Sequence, residues 1–181
     1  MIGPPIVVVM GVCGCGKSSV GRGLAQALGC AFIEGDAHHP EANIAKMSAG
    51  VPLTDADREG WLAVLAGFIA DADRRSEALV VACSALKRRY RDQLRGDSAR
   101  VRFLHLDGTK AVIADRMAAR TAHFMPTALI DSQFADLEAP GPEENALTRS
   151  ILLPVDQIVA DACGYLTNNG KAATATAGGN A

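Results

Sequence analysis

A run of five apolar residues, IVVVM at 6–10, is followed at once by GVCGCGKS at 11–18, and then by apolar residues at helical spacing, Val20, Leu24, Ala27 and Leu28. This juxtaposition narrows the fold more than any other feature of the chain. The valine-rich run is too short for a helix and apolar on both faces, which predicts a strand buried in a parallel sheet. The glycines predict a tight turn, and residues 17–28 a helix. Gly11 and Gly16 to Ser18 complete the pattern G-x-x-x-x-G-K-[ST] in the strand–turn–helix context it requires. There the backbone N–H groups curl around a phosphate and the helix N-terminus adds positive potential. Gly11, Val12, Cys13, Gly14, Cys15, Gly16, Lys17, Ser18 and Ser19 are therefore expected to bind a nucleotide. Lys17 should reach the β- and γ-phosphates, and Ser18 should ligate Mg²⁺.

The two thiols in the turn invite a metal or redox reading. A structural zinc needs four ligands, however, and no second C-x₂-C or histidine pair accompanies Cys13 and Cys15. The cradle binds through backbone amides, so those side chains are not needed for it. A helix N-terminus lowers thiol pKa, which makes sensitivity to oxidants an expectation.

The rest of the chain repeats strand and helix. Strands are expected at residues 30–33, 78–83, 101–106 and 151–153. Helices are expected from Pro40 to Met47, from an N-cap at Thr54 through Trp61, Leu62, Leu65 and Ile69, and after a cap at Ser84. Further helices are expected at 110–120, 127–137 and 155–162. The tail, residues 167–181, is expected to be disordered. Such alternation is solved by a parallel sheet covered on both faces, with ligands beyond the carboxyl ends of its strands.

With 181 residues and 49% hydrophobic content, the chain suits one domain. Its formal charge of −2 argues against a broad nucleic-acid surface. Five irregularly spaced cysteines do not suggest a disulfide framework. No apolar run is long enough for a bilayer, and PPIVVVMG lacks a basic leader and a cleavage site, so a cytoplasmic location is expected.

A phosphate cradle alone does not separate a GTPase from a small-molecule kinase. Neither a D-x-x-G after a strand nor an N-K-x-D is present. Asp36, just after the second strand, is a candidate to orient an acceptor hydroxyl and take its proton; its bland alternative is a turn or cap residue. His38 and His39 are neighbours pointing apart, better suited to hydrogen-bonding substrate or backbone than to holding a metal. Lys87 and Arg91 are four apart on one helical face and, with Ser84, could bind a carboxylate or a polyol. The alternative is a solvated basic face. Arg116 and Arg120 form another such pair, with His123 beyond, before a break where a lid could hinge.

Four segments together resemble the small gluconate kinases of the P-loop type, relatives of shikimate and adenylate kinases. They are GVCGCGKSSV, EGDAHHPEANIAKMSAGVPLTDADREGWL, VVACSALKRRYRDQLR and RMAARTAHFMPTALIDSQFADLEAP. The first is shared by many kinases, whereas the order and spacing of the second and third are specific to gluconate kinases. The resemblance runs from about residue 6 to about residue 166. It implies a three-layer α/β P-loop kinase fold with a central parallel sheet and a helical lid, at about 116–137 within a domain 1–166. It implies transfer from MgATP to the 6-hydroxyl of D-gluconate by a homodimer, with ATP and Mg²⁺ on Gly11 to Ser18 and Asp36 at the acceptor hydroxyl. His39, Arg58, Lys87 and Arg91 resemble positions near the sugar acid. Arg116, Arg120 and His123 resemble lid-side positions, with Ser132 and Gln133 in the segment after it. Cys13 and Cys15 depart from the family, as do Glu34, where Asp is common, and Ala122, where a hinge glycine is usual. Two alternatives stay open: a kinase of another small hydroxy acid such as shikimate, and a nucleotide-binding regulator without turnover.

Overall fold

The structure, a computed structural model, describes residues 3–119 and 127–176. Its centre is β1 (Ile6–Met10), buried along its whole length. It lies between β3 (Leu79–Ala82) and β4 (Val101–Asp107), with β2 (Ala31–Glu34) and β5 (Ala146–Ser150) outside them, giving the order β2-β3-β1-β4-β5. Every pairing is parallel. The period of two in a strand divides the core. Val7, Val9, Val80, Leu104 and Leu106 face one side, where they meet Val20 and Leu24 of α1 (Lys17–Leu28), Ile113 of α5 (Lys110–Ala118) and Ile158 of α7 (Val155–Thr176). Ile6, Val8, Met10, Val81 and Phe103 face the other, against Trp61, Leu62, Leu65 and Ile69 of α3 (Asp55–Arg74) and Tyr90 and Leu94 of α4 (Arg88–Arg95). Three layers result, as expected from the alternation.

The helix α3 starts where the sequence indicates. Thr54 accepts a hydrogen bond from the Asp57 N–H, and the Asp57 carboxylate returns one from the Thr54 N–H. The helix α2 (Glu41–Ser48) opens after Pro40, and α6 (Thr127–Asp136) follows the undescribed stretch.

Three expectations differ from the structure. The last strand is Ala146–Ser150, not 151–153. It is an edge strand paired only with β4 and mostly half-exposed, so its sequence ALTRS lacks the apolar signature of its neighbours. The apolar triplet after it is a turn in which Ile151 is buried and Leu152 is 72% exposed. Ser84 does not cap α4, because Lys87 occupies that position. The chain first turns at Ala85, whose φ of 44° is left-handed. Finally, α7 continues to Thr176, past the expected end at residue 162 and into the tail. Leu166 packs on the core in its middle, and the alanine-rich stretch beyond favours helix.

Gly35 marks where β2 hands the chain to a 3-10 turn, Gly35–His38. A β-carbon there would overlap the carbonyl oxygen of Ala82 on β3 and crowd Leu65. Because one of the clashing groups is backbone, repacking cannot relieve it cheaply. Gly35→Ala is expected to destabilise the protein by about 2 kcal/mol or more, measured by urea unfolding, with the loss arising at this one approach.

Candidate active site

The cradle forms because Gly14 and Gly16 take φ of 82° and 98°, values that side chains disfavour. Gly16 is the N-cap residue of α1 and offers no side chain to its N–H groups, and no acidic residue lies in the first turn. The contrast with the doubly capped α3 is informative. The donors at the mouth of α1 are left for an external anion, as a nucleotide polyphosphate would require. Lys17 folds back over the turn, its Nζ donating to the Gly11 and Val12 carbonyls at 3.1 Å each. Burial pulls its ammonium down, but Cys15, Asp36, Cys13 and Cys83 together outweigh this, and its pKa stands above the ordinary lysine value. Lys17 is thus a cation held over the glycine turn.

Beside the cradle, one cleft collects Cys13, Lys17, Asp36, His39, Arg58, Ser84 and Gln133. All seven are among the residues singled out from sequence. Asp36 projects from the 3-10 turn, which is braced from below because the Trp61 Nε1–H donates to the Gly35 carbonyl at 2.8 Å. The His39 ring stacks on Trp61 with centroids 4.0 Å apart. Its Nδ1 accepts from Asn43 Nδ2 at 3.4 Å, which leaves the proton on Nε2, 4.0 Å from Asp36 Oδ1. Asn43 is itself buried and held by the Asp57 carbonyl at 2.7 Å. Cys13 donates its backbone N–H to Gln133 Oε1 at 2.7 Å, which ties the phosphate loop to α6.

Arg58 reaches the cleft from α3, buried to 6% exposure. It donates to Asp136 Oδ2 at 3.0 Å and to the Tyr90 hydroxyl at 3.2 Å. Among the described residues, Lys17 and Arg58 are the basic side chains other than His39 that line the cleft. Lys87 stands beside it rather than in it. Its ammonium bridges Asp55 at 3.0 Å and Asp136 at 3.1 Å. Arg91 is further removed. It is fully buried, with Nε and Nη2 on the Glu144 carboxylate and Nη1 on the Ala85 and Leu86 carbonyls. The helical spacing of Lys87 and Arg91 does not bring them to one place, because Lys87 is the cap and Arg91 points under the loop. Arg116 is anchored on the Ile151 carbonyl, away from the cleft lining. Arg120 and His123 lie outside the described residues.

No local sequence pattern marks Asp136, Asp55, Asn43 or Trp61 as a site residue. Trp61 carried only a core signal. Asp136 and Asp55 gain partners from helices distant in sequence, which no local pattern reports. Asn43 stands on a short helix with Glu41 and Lys46, where nothing local distinguishes a buried polar residue from an exposed one.

Comparison with known proteins decides the family. The shikimate kinase family model matches residues 13–150. The chain is 51% identical over 141 residues to the gluconokinase of Gluconobacter oxydans, covering 78% of this chain and 79% of that protein. It belongs to the gluconokinase family. The thermoresistant gluconokinase of Escherichia coli is 41% identical over 156 residues, 86% of this chain and 89% of that one. The crystal structure of a gluconokinase from Sinorhizobium meliloti superposes with a TM-score of 0.86 at 45% identity, covering 97% of this chain and 99% of that one. The gluconokinase fold explains why the cradle and Asp36 open on one cleft: β1 and β2 flank β3 in a parallel sheet, so both strands end on the same edge. Among the described residues no helix is long and apolar enough to cross a membrane, and no group of three or more His, Cys, Asp or Glu could hold a metal ion.

Burial pushes the His39 imidazole below its ordinary value of 6.5; Asp36 opposes this and Arg58 adds to it. The unfolded chain therefore takes up a proton near pH 6.5 that the folded chain resists. The associated stability is present above that pH and declines as pH falls below it. Urea unfolding from about pH 8 to about pH 5 should show this decline; His39→Gln should reduce it, the remainder belonging to His105, which burial likewise pushes below its ordinary value.

Proposed function

We propose that this chain is a gluconokinase that transfers the terminal phosphoryl group of MgATP to the 6-hydroxyl of D-gluconate, giving 6-phosphogluconate and ADP. The observation that carries the reading is that Lys17 and Asp36 line one cleft, near enough for the Asp36 charge to act on Lys17. The hydroxyl oxygen forms a bond to the γ-phosphorus as the bond to the β–γ bridging oxygen breaks. The hydroxyl proton passes to Asp36. Lys17 and the uncapped amides at the mouth of α1 hold the polyphosphate and offset the charge that develops on it, while the Gly11, Cys13 and Cys15 amides shape the loop through bonds within the protein.

Bound Mg²⁺ would supply positive charge that offsets the charge on the polyphosphate. The Ser18 hydroxyl, at the start of α1, is the group of this chain suited to ligate it. A site with few protein ligands fits a cation that keeps its waters and binds through phosphates. Arg58 faces the sugar-acid carboxylate, with His39, Ser84 and Gln133 on its hydroxyls. Lys87 acts from beside the cleft through Asp136. The segment 116–137 is the candidate lid of the domain, and Arg116 would have to leave the Ile151 carbonyl to reach the phosphates. The family resemblance further supports a homodimer working in the cytoplasm.

Purified protein should release ADP with gluconate and markedly less with shikimate. The reverse preference would end the assignment, and binding of both ligands without any ADP release would point to a regulator. Asp36→Asn should lower kcat by about 10²-fold or more while calorimetric nucleotide affinity stays near wild type. Near-normal turnover in that variant would remove Asp36 from the proton-accepting role.

A further inference from the structure

The buried Arg91–Glu144 pair lies outside the cleft, yet its contacts converge on the loop that forms one cleft wall. Arg91 Nε and Nη2 meet Glu144 at 2.5 and 2.9 Å. Its Nη1 donates to the carbonyls of Ala85, at 3.1 Å, and Leu86, at 3.0 Å. Ala85 is fully buried with φ of 44°, a conformation that its β-carbon disfavours. The residue before it, Ser84, lines the cleft, and its carbonyl accepts the N–H of Gly11, the first glycine of the cradle, at 3.2 Å. Further contacts come from the chain after α6. The Glu138 N–H donates to the Leu86 carbonyl at 2.9 Å, and Glu138 accepts the Arg88 N–H at 2.6 Å. Glu144 is fixed in turn by the Gly141 N–H at 2.8 Å and, through its carbonyl, by Arg95.

A pair that served only to add stability could contact any carbonyl. This one grips the two carbonyls at and after the strained residue. Only a planar guanidinium can reach both of them and a carboxylate edge at once. We propose that Arg91, locked by Glu144, is a positioning residue for the acceptor side of the cleft: it holds Ala85 in its left-handed turn and so keeps Ser84 aimed at the sugar acid. Substrate does not touch Arg91. Its effect reaches the reaction through one backbone kink. The inference rests on the kinase reading for what Ser84 binds, but not for the kink itself.

Arg91→Lys keeps the charge and loses the fork. Ala85 should then relax, and Ser84 should leave its place. The KM for gluconate should rise about tenfold, the worth of a mispositioned hydrogen bond, with kcat within about threefold. Adding Ala85→Gly, which allows the left-handed turn without an anchor, should bring KM back to within about threefold of wild type. Hydrogen–deuterium exchange of the amides at 83–87 should speed up in the single variant and slow again in the double. A purely structural pair would lower the melting temperature, leave the KM of the folded enzyme alone and show no rescue by Ala85→Gly.

The proposal is overturned if folded Arg91→Lys keeps wild-type KM and exchange, or if its raised KM does not respond to Ala85→Gly. Should Arg91→Lys not fold, Glu144→Gln with and without Ala85→Gly carries the same pair of readouts. A wild-type protein inactive on gluconate would defeat the kinase reading alone, and exchange at 83–87 would still decide the clamp.

Discussion

A parallel strand buried on both faces has nowhere to place a ligand except beyond its ends. This constraint shapes the molecule. The strand β1 is sealed by β3 and β4 at its edges and by helices above and below, so its carboxyl end must deliver whatever chemistry it carries. That end is the glycine cradle, and the helix it feeds is left uncapped toward the cleft. Because β2 and β3 run parallel to β1, Asp36 and Ser84 emerge on the same edge. The cleft is a consequence of strand direction before it is a matter of side chains.

The side chains are then held by partners that do not themselves react. Trp61 braces the turn under Asp36 and stacks on His39. Asp136, at the end of α6, pairs with both Arg58 and Lys87, so this helix is bonded to the cations beside the cleft. Gln133 on the same helix takes the Cys13 N–H. One short helix is thereby tied to both the glycine turn and the cations of α3 and α4. Any movement of α6 would be felt at both, which suits an enzyme that must bring two anions together while excluding water.

Much of the site was legible because its residues sit in local patterns. The cradle needs only glycine spacing between a strand and a helix. Asp36 needs only its place after the next strand. Thr54 and Asp57 form a box within a single turn. The errors share a cause. Helical spacing groups Arg91 with Lys87, but its direction is set by Glu144, 53 residues away. Ser84 looked like a cap because serine caps helices, but Ala85 turns the chain before α4 begins. The strand ALTRS carries no apolar signal because an edge strand needs little apolar character.

By itself the sequence determined the alternation of strand and helix, the phosphate cradle, and the acid poised beside it. These rest on interactions between residues close in the chain, where periodicity and glycine placement are direct reports of backbone geometry. Only the tertiary structure decided which charges face the cleft and which are consumed beneath it. The fate of Arg58, Lys87 and Arg91 depends on carboxylates brought in from α3, α6 and the turn before β5. A basic residue looks the same in a sequence whether it awaits a substrate or already holds a partner, because burial and pairing are properties of the folded chain alone.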